Sequence, residues 1–536
     1  MDVFTFITVH SLLVGLWAIL AILLFLLLSD IYTWYHLPRG PFPLPFIGNI
    51  LSITPDKFYV RLEQWSHTYG PIYTIWIGRS PRIIVTDPEI TSDLLSRRGS
   101  KYSSRPRMIV FGELFNNGAS VASLPYGHAW SLRRKLLHNS LKSSALPAYK
   151  PRQEAEAMNL IADIEKDSSS WSEGIDRFAA SVVFSLAYGR RIASLDSKAL
   201  KNRQFLFRIA AKIMAPGAYL VETFPFFLHL PDFLSRWKEY PLRMGRELAA
   251  FDISLVNAVK KDLKEEKGAI QINLTETLLD LKKNGEAGAG TLSEAHFAAI
   301  PATLFGAGSG TTTSTLHSAV KAFVTHPHVQ KAAQAEIDNI VGKHRSPTFA
   351  DQASLPYIEA LVKEILRWRP AAAFGVPHAT SEADVYNGYR IPKGTVVWPA
   401  AWGLNQNAEY FPSPNTFAPE RYLSESDPRF DSKIAAKPFP SGCHPHASFG
   451  FGRRACAGAD LATNSLFIVI AKLIWAFDVK PAEGEVYDVD AYEGGMVLRP
   501  KPFKCDFVVR DDQQRGVLKT EMIEAQKVLD LFPPFE

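Results

Sequence analysis

The amino-acid sequence predicts a mainly α chain with small β-sheets, preceded by one N-terminal transmembrane helix. Three observations predict it. The chain opens on a long apolar run, with no charged residue between Val3 and Ser29. Helix-compatible runs fill most of the remainder, the longest opening near Thr291 and stopping at His326-Pro327, where proline ends a helix. Strand-like segments are short and confined to residues 73–86, 379–399 and 480–510, a pattern that excludes a sheet-dominated fold.

Each element follows from residue chemistry. A bilayer core needs about 20 apolar residues, and residues 12–28 are nearly all apolar. A cleaved signal peptide has a basic start, a shorter apolar core and a small-residue cleavage site. Here the only charge ahead of the run is Asp2, so a retained anchor is predicted. Lys and Arg are absent before Arg39, which by the positive-inside rule puts the body on the cytosolic side. The sequon Asn273-Leu274-Thr275 would then go unused. Over 536 residues, 47% hydrophobic and 21% charged residues are ordinary globular composition with ample core. A formal charge of +5 is too small to imply nucleic acid. Cys443, Cys456 and Cys505 are the only cysteines; they make no disulfide framework and suit a reducing compartment.

Beyond the anchor, Leu37-Pro38-Arg39-Gly40-Pro41-Phe42-Pro43-Leu44-Pro45 predicts a stiff, extended hinge. Residues 58–69 read as a helix, 73–77 and 82–86 as strands around Gly78-Arg79-Ser80-Pro81, and 88–97 as a helix. Trp130 and Arg134 share one helix face, flanked by Arg133 and Lys135 as on a solvated basic helix. Phe224-Pro225-Phe226-Phe227-Leu228-His229-Leu230 is a dense apolar patch of the kind usually found in a core. Thr291-Leu292-Ser293-Glu294 reads as a capping box for a helix reaching Thr325, about 50 Å long. Its middle, Phe305-Gly306-Ala307-Gly308-Ser309-Gly310-Thr311-Thr312, carries glycines that each cost about 1 kcal/mol against alanine. The spacing and preceding strand of a dinucleotide loop are missing; close helix packing is one reading that stays open. Glu364 and Arg367 lie three apart on a helix that Pro370 ends.

The segment Phe449-Gly450-Phe451-Gly452-Arg453-Arg454-Ala455-Cys456-Ala457-Gly458 sets one cysteine in a glycine-punctuated loop before an apolar, helix-compatible run, residues 461–477. A metal-ligating thiol must be deprotonated, and a helix N-terminus or a nearby cation lowers its pKa. The following helix and Arg454 would supply both to Cys456. Glycines at 450, 452 and 458 permit tight turns and close approach to a flat cofactor. An axial thiolate on haem iron favours O–O cleavage. A buried structural cysteine is the plainer alternative.

The pattern Phe-x-x-Gly-x-Arg-x-Cys-x-Gly, met by Phe449, Gly452, Arg454, Cys456 and Gly458, resembles the haem-binding loop of the cytochrome P-450 superfamily of haem-thiolate monooxygenases, of fungal microsomal type. The resemblance covers residues 37–510. It implies the cytochrome P-450 fold, haem b as cofactor and Cys456 as the iron ligand. It places Phe449 under the haem, and Arg454, Trp130, Arg134 and His378 at its propionates. It also implies an oxygen site bordered by Ala307, Gly308 and Thr311. Gly310 stands where the family has Asp or Glu, so protons would pass through Thr311, Ser309, Thr312 or water. Glu364 and Arg367, with Arg421, match the family's buried structural triad. Substrate contacts are expected from residues 108–124, 303–311, 371–376 and 493–497, mostly apolar or small. The 224–230 patch would instead meet the membrane at the substrate entrance, and the basic face around Arg133 and Lys135 would dock a reductase.

The implied organisation is an anchor over 1–30, a hinge over 31–50, a catalytic domain over 51–510 and a tail over 511–536, with Leu518, Met522, Ile523 and Val528 spaced for a short helix. The implied function is oxidation of a lipophilic or aromatic small molecule in fungal secondary metabolism. It would use O2 and electrons from NADPH through a NADPH-cytochrome reductase, at the endoplasmic reticulum membrane. Two readings stand beside it. One keeps the fold but catalyses rearrangement, dehydration or oxidative coupling. The other is a non-catalytic membrane adaptor with zinc on Cys443, His444, His446 and Cys456.

Overall fold

The first helix, Val3–His36, runs past the expected boundary at residue 30. The computed structural model describes residues 3–53, 57–215, 217–265, 273–493 and 495–535. Residues 10–36 of the first helix are long and apolar enough to cross a membrane. Its far end is tied to the body, with the Arg79 guanidinium 2.8 Å from the Asp30 carboxylate and 3.3 Å from the Leu26 carbonyl. The proline-rich segment that follows packs against the body. Leu37 is buried, and a Cβ on Gly40 would sit 2.1 Å from the Thr74 carbonyl oxygen. The Asn49 amide accepts from the Trp76 N–H at 2.8 Å and donates to the Phe42 carbonyl at 3.1 Å. Residues 37–49 thus edge the first sheet.

That sheet pairs Ile72–Ile77 with Ser80–Val85 antiparallel, Ser80–Val85 with Val396–Pro399 parallel, and the last with His378–Ala379 antiparallel. The other sheets are two-stranded among the described residues. The remainder is mostly helical, so the structure is mainly α with small sheets.

Glu294–Thr325 forms a 32-residue helix, about 48 Å long at 1.5 Å per residue, and packs along Trp171–Tyr188 and Glu239–Lys264. Its cap is Ser293, whose hydroxyl accepts from the His296 N–H at 3.3 Å. The predicted cap Thr291 instead closes the preceding 3-10 turn, donating to the Gly288 carbonyl. The three glycines serve different ends. A Cβ on Gly308 would lie 2.6 Å from Val183, one on Gly306 would touch Arg203, and Gly310 opens onto free space. Close helix packing therefore explains Gly308.

One large apolar core joins the helices Lys150–Lys166, Trp171–Tyr188, Glu294–Thr325, Pro356–Trp368 and Ala459–Ala476. Ala459–Ala476 is apolar enough to span a bilayer but is mostly buried here. The expected tail belongs to this core. Asp512–Leu529 is a helix packed on Lys150–Lys166, burying Leu518, Ala525 and Leu529 while Ile523 faces solvent. Beneath it, buried Lys472 donates to the Ser346 hydroxyl, which donates to the Glu521 carboxylate. The sequon is also internal: Asn273 is buried and caps Leu274–Lys283, a position closed to a glycan.

Candidate active site

The cysteine loop is built from two 3-10 turns, Ala447–Phe449 and Gly452–Arg454. Gly452 has φ +58, and a Cβ there would fall 2.0 Å from the Leu95 carbonyl oxygen. Close packing on the Leu95 backbone alone demands glycine here. The loop is closed by the Cys456 N–H, which donates to the Phe449 carbonyl at 2.7 Å. Gly458 is the N-cap of Ala459–Ala476.

Cys456 is accessible to solvent, yet surrounding protein pushes its thiol above the ordinary value. Together these describe a side chain at the floor of a recess. Two groups act against burial, the Gly458 N–H aimed at the sulfur and the Arg134 guanidinium. The cation expected beside the thiol was Arg454. That side chain turns away and donates to the carbonyls of Ser103 at 2.8 Å and Leu124 at 2.7 Å, and it lies 4.2 Å from the Trp130 ring centroid.

Arg454 has company. Arg134, on the helix His128–Asn139 with Trp130, donates to the Ala455 carbonyl. Arg105 donates to the carbonyls of Ala122, Val376 and Pro377. Burial, then mutual repulsion, lowers Arg454 to about 9 and Arg105 to about 10; burial also lowers Arg134. None of the three forms an ion pair with a carboxylate among the described residues. His378 joins them, buried, with Nδ1 2.7 Å from the Tyr102 carbonyl and its pKa lowered to about 3 by burial, then by Arg105. A carbonyl partner makes Nδ1 the protonated nitrogen and leaves Nε2 as an acceptor in the neutral ring. Arg105 escaped the sequence reading: Ser103-Ser104-Arg105-Pro106 has no diagnostic spacing, and its partners are distant carbonyls. Arg133, expected on a solvated face, is buried and bonded to the Gly118 and Ala119 carbonyls; Lys135 stays exposed.

On the long helix, Thr311 donates to the Ala307 carbonyl at 2.8 Å and Ser309 to the Phe305 carbonyl at 3.0 Å. Ala307 and Gly310 are exposed. Thr312 is buried, four residues on from Gly308 and so on the face packed against Trp171–Tyr188. The three hydroxyls therefore do not converge on one side.

The expected substrate segments are stitched together. Arg454 holds Val121 and Leu124, Arg105 holds Val376, the Leu498 N–H donates to Ala371, and Ser314 of the long helix donates to Leu498. Gly494, within the 493–497 segment, lies outside the described residues.

Below the recess, Glu364 accepts two 2.7 Å bonds from Arg367, lies 3.0 Å from Arg421 Nε and accepts from the Ala418 N–H at 2.9 Å. All three side chains are fully buried, and both guanidiniums also donate to carbonyls, including Thr416. Phe449 lies against the rings of His444 and His446, at 5.0 and 5.4 Å. This arrangement overturns the zinc adaptor: Cys443 donates to Ser92, and no group of three or more His, Cys, Asp or Glu that could hold a metal ion occurs among the described residues.

Comparison with known proteins agrees with this geometry. The family model Cytochrome P450 matches residues 38–507. A cytochrome P450 monooxygenase of Armillaria gallica is 35% identical over 496 residues, 91% of this chain and 92% of its own. Cytochrome P450 monooxygenase 58 of Postia placenta is 35% identical over 494 residues, 90% and 91% of the two chains. Cytochrome P450 monooxygenase polD of Polytolypa hystricis is 32% identical over 510 residues, 92% and 95%. The cysteine loop, the mainly helical fold and these matches over most of the chain together establish that this protein belongs to the cytochrome P450 family of monooxygenases.

Proposed function

We propose that Cys456 is the axial thiolate of a haem, and that the chain is a membrane-anchored monooxygenase acting on a lipophilic or aromatic small molecule. The family's cofactor is haem with a cysteine thiolate as axial ligand. The residues here fit that group. Haem carries two carboxylates, and this recess is edged by buried Arg105 and partly buried Arg134 and Arg454, cations with no acid of their own among the described residues. That uncompensated cluster beside the thiol is the observation that carries the proposal, since buried charge needs a partner. When bound, haem supplies the oxygen-activating redox chemistry by which one atom of O2 enters substrate and the other leaves as water.

The chain's own residues do the rest. The Gly458 N–H and Arg134 favour the thiolate over the thiol. The Arg105–Val376 and Arg454–Leu124 bonds fix the recess walls. Thr311 offers a hydroxyl on the exposed Ala307 side of the long helix. With Gly310 in place of an acid, no carboxylate from this stretch holds a proton for it. The test is stoichiometric. Purified protein should contain one haem per chain by pyridine haemochrome, and product formation should require NADPH and a microsomal NADPH-cytochrome reductase. Haem-free folded protein would overturn the reading. The same fold running rearrangement or dehydration is favoured by one observation, the bare Gly310, and predicts turnover without NADPH.

Membrane attachment is supported by more than the first helix. Phe42 and Phe233 are each 73% exposed and Phe226 is 60% exposed. A Cβ on Gly78 would lie 3.0 Å from Thr223 and 3.8 Å from the Phe46 carbonyl oxygen, so the two apolar patches adjoin beside the turn whose Arg79 holds Asp30. That one face suits docking on the endoplasmic reticulum bilayer, with the relatives' fungal sources favouring a place in secondary metabolism.

A further inference from the structure

Arg82 is a cation without a bonded partner. Arg105, Arg134 and Arg454 each donate to backbone carbonyls. Arg82 makes no hydrogen bond and no ion pair among the described residues. Its Nε is buried and unpartnered. Nη1 and Nη2 also lack partners but keep solvent access, the residue being only partly buried. Burial lowers its pKa, and the acid that supports its charge, Glu222, is not bonded to it. The Glu222 carboxylate instead accepts from the Ile109 N–H at 3.2 Å and the Val110 N–H at 2.8 Å. The guanidinium thus lacks the oxyanion for which its fork of donors is shaped.

The fold shows where an oxyanion would come from. Arg82 lies in Ser80–Val85, opposite Ile75 and beside Val396. Its guanidinium carbon is 5.9 Å from the Trp398 ring centroid, and Trp398 is 6.3 Å from Phe374; both rings are partly buried. Phe374 belongs to the 371–376 segment, and Glu222 holds the start of Ile109–Phe115 in the 108–124 segment. On the other side, the turn that leads into this strand meets Thr223, next in sequence to the exposed Phe224. Arg82 therefore stands between the apolar outer face and two segments that Arg105 and Arg454 tie to the thiol recess.

We propose that Arg82 anchors a single oxyanion, carboxylate or phosphate, carried by an otherwise apolar molecule that arrives from the exposed face. If that molecule is the substrate, the inference narrows it to an apolar acid and rests on the monooxygenase reading. If it is a membrane lipid, the inference stands apart from that reading. The test uses the full-length holoenzyme and two probes of one shape, 2-naphthoate and the uncharged 2-naphthamide. Ligand-observed NMR reads binding without reference to the haem, so a chain found to lack haem would fail the earlier reading and leave this comparison decisive. The Soret band reports entry into the recess. Sedimentation with vesicles of phosphatidylcholine, alone or mixed with phosphatidate, reads the lipid arm.

Naphthoate should bind about tenfold or more tightly than naphthamide, and Arg82→Gln should remove that advantage while leaving naphthamide unchanged. A naphthoate-induced Soret shift that Arg82→Gln abolishes assigns the oxyanion to the substrate. A preference for phosphatidate vesicles that Arg82→Gln abolishes assigns it to a lipid. Equal affinity of the wild type for the two probes would overturn the inference even if the variant failed to fold. So would a naphthoate advantage that survives Arg82→Gln, or equal loss of both probes in the variant. Naphthoate binding with neither the Soret nor the vesicle effect would mean a surface ion pair that serves neither route, and would overturn it as well.

Discussion

Gly308 and Gly310 stand two residues apart on one helix and demand opposite things. A Cβ at Gly308 meets Val183 at 2.6 Å, and valine is stiff at χ1, so Gly308→Ala should cost about 1–3 kcal/mol as an overpacking change. Gly310 faces open space, so Gly310→Ala should gain up to about 1 kcal/mol from helix propensity. Thermal melts of the two variants should move in opposite directions. Gly310→Asp also fits, and should raise product formed per NADPH consumed if Thr311 lacks a proton source; unchanged coupling would count against that role. At the buried triad, Glu364→Gln should cost about 3–5 kcal/mol, because it leaves two buried guanidiniums short of their counter-charge; a denaturant midpoint reads this. Three buried histidines set an acid limit. Burial lowers His317, His378 and His446 each to about 3. Their folded values lie below the unfolded 6.5, so the unfolded chain binds more protons between about pH 3 and 6.5. Stability should be full above pH 6.5 and fall with acid at up to about 1.4 kcal/mol per unit per histidine. His317→Gln should flatten that slope. At this scale the sequence was readable where spacing is local, as for Glu364 with Arg367. It was silent on Arg105, whose carbonyl partners at Val376 and Pro377 are joined only by the fold. At Gly452 it pointed to the tight turn, which φ +58 bears out, but not to the Leu95 backbone that crowds it.

Whole elements show the same division. The long helix, its proline-defined end and Phe58–Tyr69 follow from pattern alone. The C-terminal helix was legible as a helix but not as core, because its buried stripe is set by its partner. Leu518, Ala525 and Leu529 face Lys150–Lys166, while the predicted Ile523 is 64% exposed. The consequence is testable. Deleting residues 511–536 would uncover that stripe and strip Glu521 from the Ser346–Lys472 contact. The truncated chain should lose cooperative thermal unfolding, whereas Glu521→Gln alone should cost about 1–3 kcal/mol. A separable tail would instead leave the melt unchanged. For the proline-rich segment, composition indicates stiffness but not the neighbours, Thr74 against Gly40 and Trp76 on Asn49, that fix it to the sheet.

At the scale of the molecule, two features give it orientation: an apolar face beside the first helix, and a cationic recess around Cys456. The first predicts that protein lacking residues 1–36 still floats with phospholipid vesicles, and that Phe226→Glu with Phe233→Glu releases it; release by the truncation alone would assign all membrane binding to the first helix. The second is the centre of the functional proposal. Its most direct measurement is the absorption spectrum of the reduced, carbon-monoxide-bound protein, wild type beside Cys456→Ala. A red-shifted thiolate-type Soret band in wild type that disappears in Cys456→Ala, with the fold retained by circular dichroism, is the predicted result. A thiolate-type band that survives in Cys456→Ala, or its absence from well-folded, haem-containing wild type, would contradict the assignment of Cys456 as the iron ligand.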